Sequence, residues 1–254
     1  MAEHIVVSVQ DRVLHLRLDR LEKKNALTRG MYLGMVDAVR QAEADPAVRV
    51  LLITGSEECF TAGNDLADFA NAQPGESSPA ILYLEALAAA QKPVIAAVGG
   101  VAVGIGTTML LHCDLVYATT DARFQLPFVN LGLCPEAGSS VLLPGLMGHR
   151  RAAELLFLGE PFSAERARDL GIVNAVVQAN ELLAAAKTKA QALAEKPPSA
   201  LRVTKSLLKQ PVTPAVAEAM KRETGQFAAL LQGPEAKEAM AAFFERRKPD
   251  FSRF

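Results

Sequence analysis

A chain of 254 residues, half of them hydrophobic and 22% charged, can bury a substantial core and is not of disordered composition. Its formal net charge of −1 supplies no general attraction to nucleic acid or to an anionic membrane. Cys59, Cys113 and Cys134 are widely spaced and lack metal-ligand spacing to the four histidines, so neither a disulfide framework nor a metal site is expected. No secretory pattern opens MAEHIVVSVQDR and no apolar run is long enough to span a bilayer, which makes a cytoplasmic protein with reduced thiols the expectation.

In chain order, IVVSV (5–9) and VLHLRL (13–18) are β-rich runs parted by three polar residues and predict an antiparallel hairpin. Thr28 is a fair N-cap for a helix to Ala44, with Met31, Leu33, Met35, Val36 and Val39 at helical spacing. VRVLLITG (48–55), PVIAAVGG (93–100) and LVYAT (115–119) are continuous apolar runs, as strands become when both sheet faces are covered. Helical stretches at 80–91 and 107–114 alternate with them, which predicts right-handed βαβ crossovers in an α/β fold. From about Ala152 the pattern turns helical, through 152–159, 164–171, 180–195, 199–209, 213–231 and 234–246, punctuated by proline and glycine. A boundary near residue 196 is expected, dividing a core (1–195) from a helical C-terminal region (196–254). Residues 195–254 hold eleven Lys/Arg against seven Asp/Glu, the place for a phosphate-bearing ligand to meet positive field.

The chemistry is concentrated in two glycine-containing turns and one acid. ECFTAGNDL (58–66) and GGVAVGIG (99–106) each follow an apolar strand, and the second leads into a helix. Such turns can aim unpaired backbone N–H groups and a positive helix end at an anionic atom. Two converging donors make an oxyanion hole, although glycines after strands also serve tight packing. A dinucleotide site fits poorly, because GVAVGIG lacks the G-x-G-x-x-G arrangement. Glu136, in CPEAGSS (134–140), is either a helix N-terminal acid or a proton carrier among the apolar Phe128, Leu131, Leu133 and Leu143. Asp65 reads as a cap, Asp114 and Asp121 as structural, and His112 beside Cys113 as a core histidine.

FTAGNDL, GGVAVGIGTTMLLHCDLVYAT and ARFQLPFVNLGLCPEAGSS, with KKNALT (23–28) and FFERRKPDF (243–251), resemble the crotonase (enoyl-CoA hydratase/isomerase) superfamily over essentially the whole chain. The resemblance implies a crotonase-type ββα spiral core (1–195) and a helical trimerisation region (196–254), in a homotrimer or dimer of trimers acting in fatty-acid β-oxidation. It places the oxyanion N–H groups at Asn64 and Ile105. Hydratases of the family carry two glutamates where this chain has Thr108 and Phe128, neither of which exchanges a proton with water. Glu136 instead matches the lone glutamate of Δ3,Δ2-enoyl-CoA isomerases. The implied substrate is an acyl-CoA thioester, coenzyme A being part of the substrate and no separate cofactor needed. Lys24 and Ala26 would border the adenine, Leu66 the pantetheine side, and Lys248 the adenosine phosphate of its own or a neighbouring subunit, with Ala62 a further contact of the substrate or its coenzyme A. A loop around 67–82 would line the acyl pocket. The alternatives are another crotonase-type hydratase, lyase or hydrolase, or a non-catalytic acyl-CoA binder; an RNA-binding relative is disfavoured by the charge.

Overall fold

The computed structural model describes residues 2–56, 58–67 and 78–254. β1 (Ile5–Gln10) and β2 (Val13–Leu18) form the antiparallel hairpin, with Gln10 opposite Val13. Asp11 and Arg12 at its tip both take positive φ, 49° and 66°, the handedness that matches a two-residue turn to twisted strands. α1 (Arg29–Ala44) begins at Thr28, whose hydroxyl accepts the Met31 N–H at 3.2 Å. Met31, Met35, Val39 and Ala42 are buried along α1, but Leu33 is 47% exposed. Two residues carry Leu33 about 200° around the helix from Met31, onto the solvent side.

Three successive units then show how the chain is wound. β3 (Val50–Thr54) is followed by β4 (Cys59–Thr61) and, past residue 78, by α2 (Pro79–Ala89). β5 (Val94–Val98) leads to β6 (Val101–Val103) and α3 (Ile105–Thr108), which tightens into a 3₁₀ turn at Met109–His112 instead of continuing as the α-helix expected to 114. β7 (Leu115–Thr119) leads to β8 (Arg123–Gln125) and a 3₁₀ turn at Val129–Leu131. Next come α4 (Ser139–Met147), α5 (His149–Leu158), β9 (Phe162–Ser163), α6 (Ala164–Asp169) and β10 (Ala175–Val177). The chain ends in α7 (Leu182–Ala194), α8 (Pro198–Lys209), α9 (Thr213–Leu231) and α10 (Pro234–Phe244).

The first strand of each unit joins a six-stranded sheet, β1-β2-β3-β5-β7-β10, parallel beyond the hairpin. The second strand joins a smaller sheet, β4-β6-β8-β9, in which only β9 runs antiparallel. This is the ββα repeat. The small sheet was not expected from hydrophobic periodicity, because strands of two or three residues are too short to display one.

β3 and β5 are buried at every position, yet their side chains serve two cores. Leu51, Ile53, Val94, Ala96 and Val98 point to the layer that includes α1 and α2. Val50, Leu52, Ile95 and Ala97 point the other way, onto Leu182, Ala186, Ala190 and Ala194 of α7. The alanines recur every fourth residue, so one smooth stripe of α7 lies close on the sheet.

Candidate active site

β4 and β6 are parallel neighbours, Cys59 opposite Val101 and Thr61 opposite Ala102, so the turns that follow them leave the small sheet at the same edge. Gly63 has φ +88°, and a Cβ there would stand 2.7 Å from the Val103 carbonyl oxygen; glycine alone lets the first turn lie against the second. Leu27 donates its N–H to Gly63 O (2.8 Å) and accepts from Asp65 N (3.0 Å), which turns the intervening Asn64 N–H away from this pairing. Tyr32 Oη donates to Asn64 Oδ1 at 2.5 Å and fixes the side chain. Ile105 is the first residue of α3, where an N–H has no intrahelical acceptor; Gly104 O receives the N–H groups of Thr107 and Thr108. Among the described residues, neither the Asn64 nor the Ile105 N–H has a hydrogen-bond acceptor. The two residues expected to form the oxyanion hole are thus on adjoining turns, with donors to spare.

Thr108 lies three positions beyond Ile105, on the same side of α3, and its Oγ1 donates to Glu136 Oε1 at 2.9 Å. The carboxylate is thereby tied to the helix whose first N–H is free. Phe128, Leu133 and Leu143 are buried in the same apolar cluster as Ile105. Glu136 is only part-buried by area, but burial of the carboxyl dominates its titration and pushes the pKa up to about 7. The Thr108 hydrogen bond opposes that rise, and the negative charge of Glu223 adds to it. Thr108 therefore orients the Glu136 carboxyl.

The segment bearing Glu136 is held from three sides. Ala137 and Gly138 both adopt left-handed backbone, φ 63° and 71°, and for alanine this costs about 1–2 kcal/mol. Ser139 Oγ donates to Glu136 O, and His112 Nε2 to Ala137 O at 2.8 Å. A carbonyl can only accept, so Nε2 carries the imidazole proton; burial lowers the His112 pKa to about 4 and keeps the ring neutral. Glu223, from α9, accepts from Gly138 N (2.6 Å), Ser140 N (2.9 Å) and Ser140 Oγ (2.5 Å). Glu223 was not singled out from sequence. The available signal is its phase, since Val216, Ala219 and Glu223 share one buried stripe of α9.

Lys24 and Ala62 meet through Ala62 N–H donating to Lys24 O at 2.9 Å, so Lys24, Ala26, Ala62, Asn64 and Leu66 belong to two segments running side by side. Arg20, another residue the sequence did not flag, clamps the pair: Nη1 donates to Ala26 O (2.9 Å) and to Asp65 Oδ2 (2.7 Å). Asp65 also accepts the Ala67 N–H at 3.1 Å, which agrees with its reading as a cap. Buried Asn25 holds Cys59 O (3.0 Å) and Phe60 O (3.1 Å), fixing this segment to β4. Lys248 is exposed, on a tail whose polar contacts run to Glu238: Arg247 forks onto its carboxylate, and the Asp250 N–H reaches Oε1 at 2.9 Å. Asn64 and Ile105 thus lie on adjoining turns with Glu136 tied to the second through Thr108, Lys24, Ala26, Ala62 and Leu66 lie on the paired segments around the first, and Lys248 lies on the exposed tail. Of the loop expected to line the acyl pocket, 68–77 lie outside the described residues.

Asp114 is structural, accepting from Val94 N and Lys205 Nζ, both at 2.7 Å. Among the described residues no group of three or more His, Cys, Asp or Glu could hold a metal ion, and no helix is long and apolar enough to cross a membrane.

Paired strand-end turns offering free N–H groups beside one carboxylate, on a ββα spiral, define the crotonase class of acyl-thioester enzymes. The chain belongs to the enoyl-CoA hydratase/isomerase family, whose model matches residues 8–253. It is 34% identical to crotonyl-CoA hydratase of Syntrophomonas wolfei, covering 98% of each chain. It is 33% identical to enoyl-CoA delta isomerase 2 of Rattus norvegicus, over 81% of this chain and 54% of that protein. Among solved structures, Pseudomonas aeruginosa OdaA superposes with TM-score 0.94 at 48% identity, over 96% of this chain and all of that one. Hydratase names predominate among the relatives.

Proposed function

We propose that this enzyme moves the double bond of a 3-enoyl-CoA to the 2-position, with Glu136 as the single proton carrier. The observation that carries this reading is one carboxylate, with a pKa of about 7, hydrogen-bonded to a threonine beside the Ile105 turn. Glu136 removes a proton from C2; the C2 electrons and the 3,4-double bond become a dienolate with its charge on the thioester oxygen. The Asn64 and Ile105 N–H groups hold that oxygen. Glu136 then returns the proton to C4, restoring the carbonyl and leaving the double bond between C2 and C3. No proton is gained or lost overall. A carboxyl with a pKa near neutrality is well matched to both taking and giving.

The relatives' names favour a hydratase as the second reading. Hydration needs groups to handle a water proton as well as the carbon proton. Thr108 has its hydroxyl committed to Glu136, Phe128 is a hydrocarbon, and both Glu223 oxygens are engaged with the 138–140 backbone and Ser140. The deciding assay compares wild type and Glu136→Gln on a 3-enoyl-CoA and a 2-enoyl-CoA. The variant is expected to lose about 10²–10⁴-fold in isomerisation. Hydration of the 2-enoyl substrate outpacing isomerisation in the wild type would sink the isomerase reading.

The coenzyme A portion is assigned to the paired 24–27 and 62–66 segments, with Lys24 and Ala26 at the adenine, Ala62 and Leu66 along the pantetheine, and Lys248 at the phosphate. Assembly as a homotrimer or dimer of trimers is part of the same proposal. Phe157, Leu207, Leu208, Phe243 and Phe244 are each more than half exposed on the single chain, which supports burial against further copies.

A further inference from the structure

We propose that Glu223 is a positioning residue for the reaction, holding from α9 the turn that carries Glu136 and acting on that carboxyl through its charge. This rests on the reading of Glu136 as the proton carrier. Helix α9 lies directly on the turn: a Cβ at Gly138 would stand 2.9 Å from Val216 Cγ1. Glu223 is 7% exposed, and its three bonds satisfy backbone and hydroxyl donors at the start of α4 that would otherwise be left unpaired. A carboxylate spanning Gly138 N and Ser140 N fixes the backbone immediately after the strained Ala137, so the direction of the Glu136 side chain depends on it.

Among the described residues, the groups facing Glu136 leave Glu223 as its charged neighbour. From the 109–112 turn comes His112, neutral by burial. From its own segment comes Cys134, whose thiol is pushed up by burial and contacts Glu223 O at 3.8 Å. Lys205 and Lys209, of α8, act on His112. A second carboxylate nearby disfavours ionisation of the first, so removing its charge should make Glu136 more acidic.

The test is Glu223→Gln, which keeps the size and loses the charge. Carboxyl ¹³C resonances of labelled glutamate, with Glu136 identified by its absence in Glu136→Gln, give its titration midpoint in the free enzyme, independent of any reaction. The midpoint is expected to fall by about half a pH unit or more, with the acidic limb of kcat/KM following it. At saturating pH, kcat should drop about tenfold while KM stays within about twofold, the pattern of lost positioning. A folded Glu223→Gln with wild-type midpoint and pH profile overturns the proposal, as does an equal change in kcat and KM with no shift. An active Glu136→Gln would instead overturn the reading of Glu136, whatever Glu223→Gln does. Should Glu223→Gln not fold, Ser140→Ala removes one donor from the same carboxylate and keeps both N–H bonds. It should lower kcat about two- to fivefold at constant KM and move the Glu136 resonance; wild-type values for both overturn the assignment.

Discussion

The two sheets of this molecule divide its labour. The six-stranded sheet is covered on both faces and carries the main hydrophobic load; the four-stranded sheet, built of strands of two or three residues, positions the two turns and with them the chemistry. The large sheet is insensitive to which apolar side chain fills a site, provided volume is kept. The small sheet depends on single atoms. Stability and reactivity can therefore be attacked separately.

The joint between the sheets should be the most fragile point. Gly100 links β5 to β6 at φ +58°, and a Cβ there would fall on the Glu58 carbonyl oxygen. Gly100→Ala should cost about 4 kcal/mol or more, enough to abolish soluble folded protein, as read by urea denaturation of whatever material is recovered. Within the large sheet, Leu52→Ala empties a fully buried position against α7. It should cost about 2–5 kcal/mol while kcat of the folded fraction stays at the wild-type value; a fall in kcat would show that the sheets are coupled.

Glu136→Gln should do the reverse, removing activity while adding stability at neutral pH. The Glu136 carboxyl titrates near 4.5 when unfolded and near 7 when folded. As pH rises through that window the unfolded state releases its proton first, so the wild type loses stability between about pH 4.5 and 7. The loss is up to about 3 kcal/mol, less by the screening its residual solvent contact provides, and Glu136→Gln should lack it. Equal slopes of stability against pH for the two proteins would refute the raised pKa. The smallest effect belongs to Thr108→Val, which deletes the hydrogen bond that favours the charged carboxyl. The acidic limb of kcat/KM should move upward by about half a unit, with a loss of about three- to tenfold at pH 7. An unmoved limb would mean that Thr108 only fills space.

The same division governs what the sequence discloses. β3, β5 and β7 are legible because burial on two faces leaves a run of apolar letters, and Thr28 because capping has its own chemistry. β4, β6, β8 and β9 are not, since so few residues hold no period. Asn64 and Ile105 were singled out, and Glu136 given its role, only through the family resemblance that the two glycine turns and CPEAGSS carry. Glu223 was not: an acid in KRETGQF reads as a solvated helix face, and only its phase against Val216 and Ala219 betrays burial. Arg20 and His112 act on main-chain carbonyls, Ala26 O and Ala137 O, and such partners leave no trace in side-chain patterns.

The bond from Gly138 to Glu223 spans 85 positions. A chain leaving the ribosome from its N-terminus therefore exposes both turns and Glu136 well before α9 has been synthesised. Until that helix docks, the start of α4 lacks the carboxylate that holds its N–H groups. The turn that carries Glu136 is thus completed only after α9 has been made, and a protease that cuts ahead of α9 severs the covalent link between that turn and Glu223.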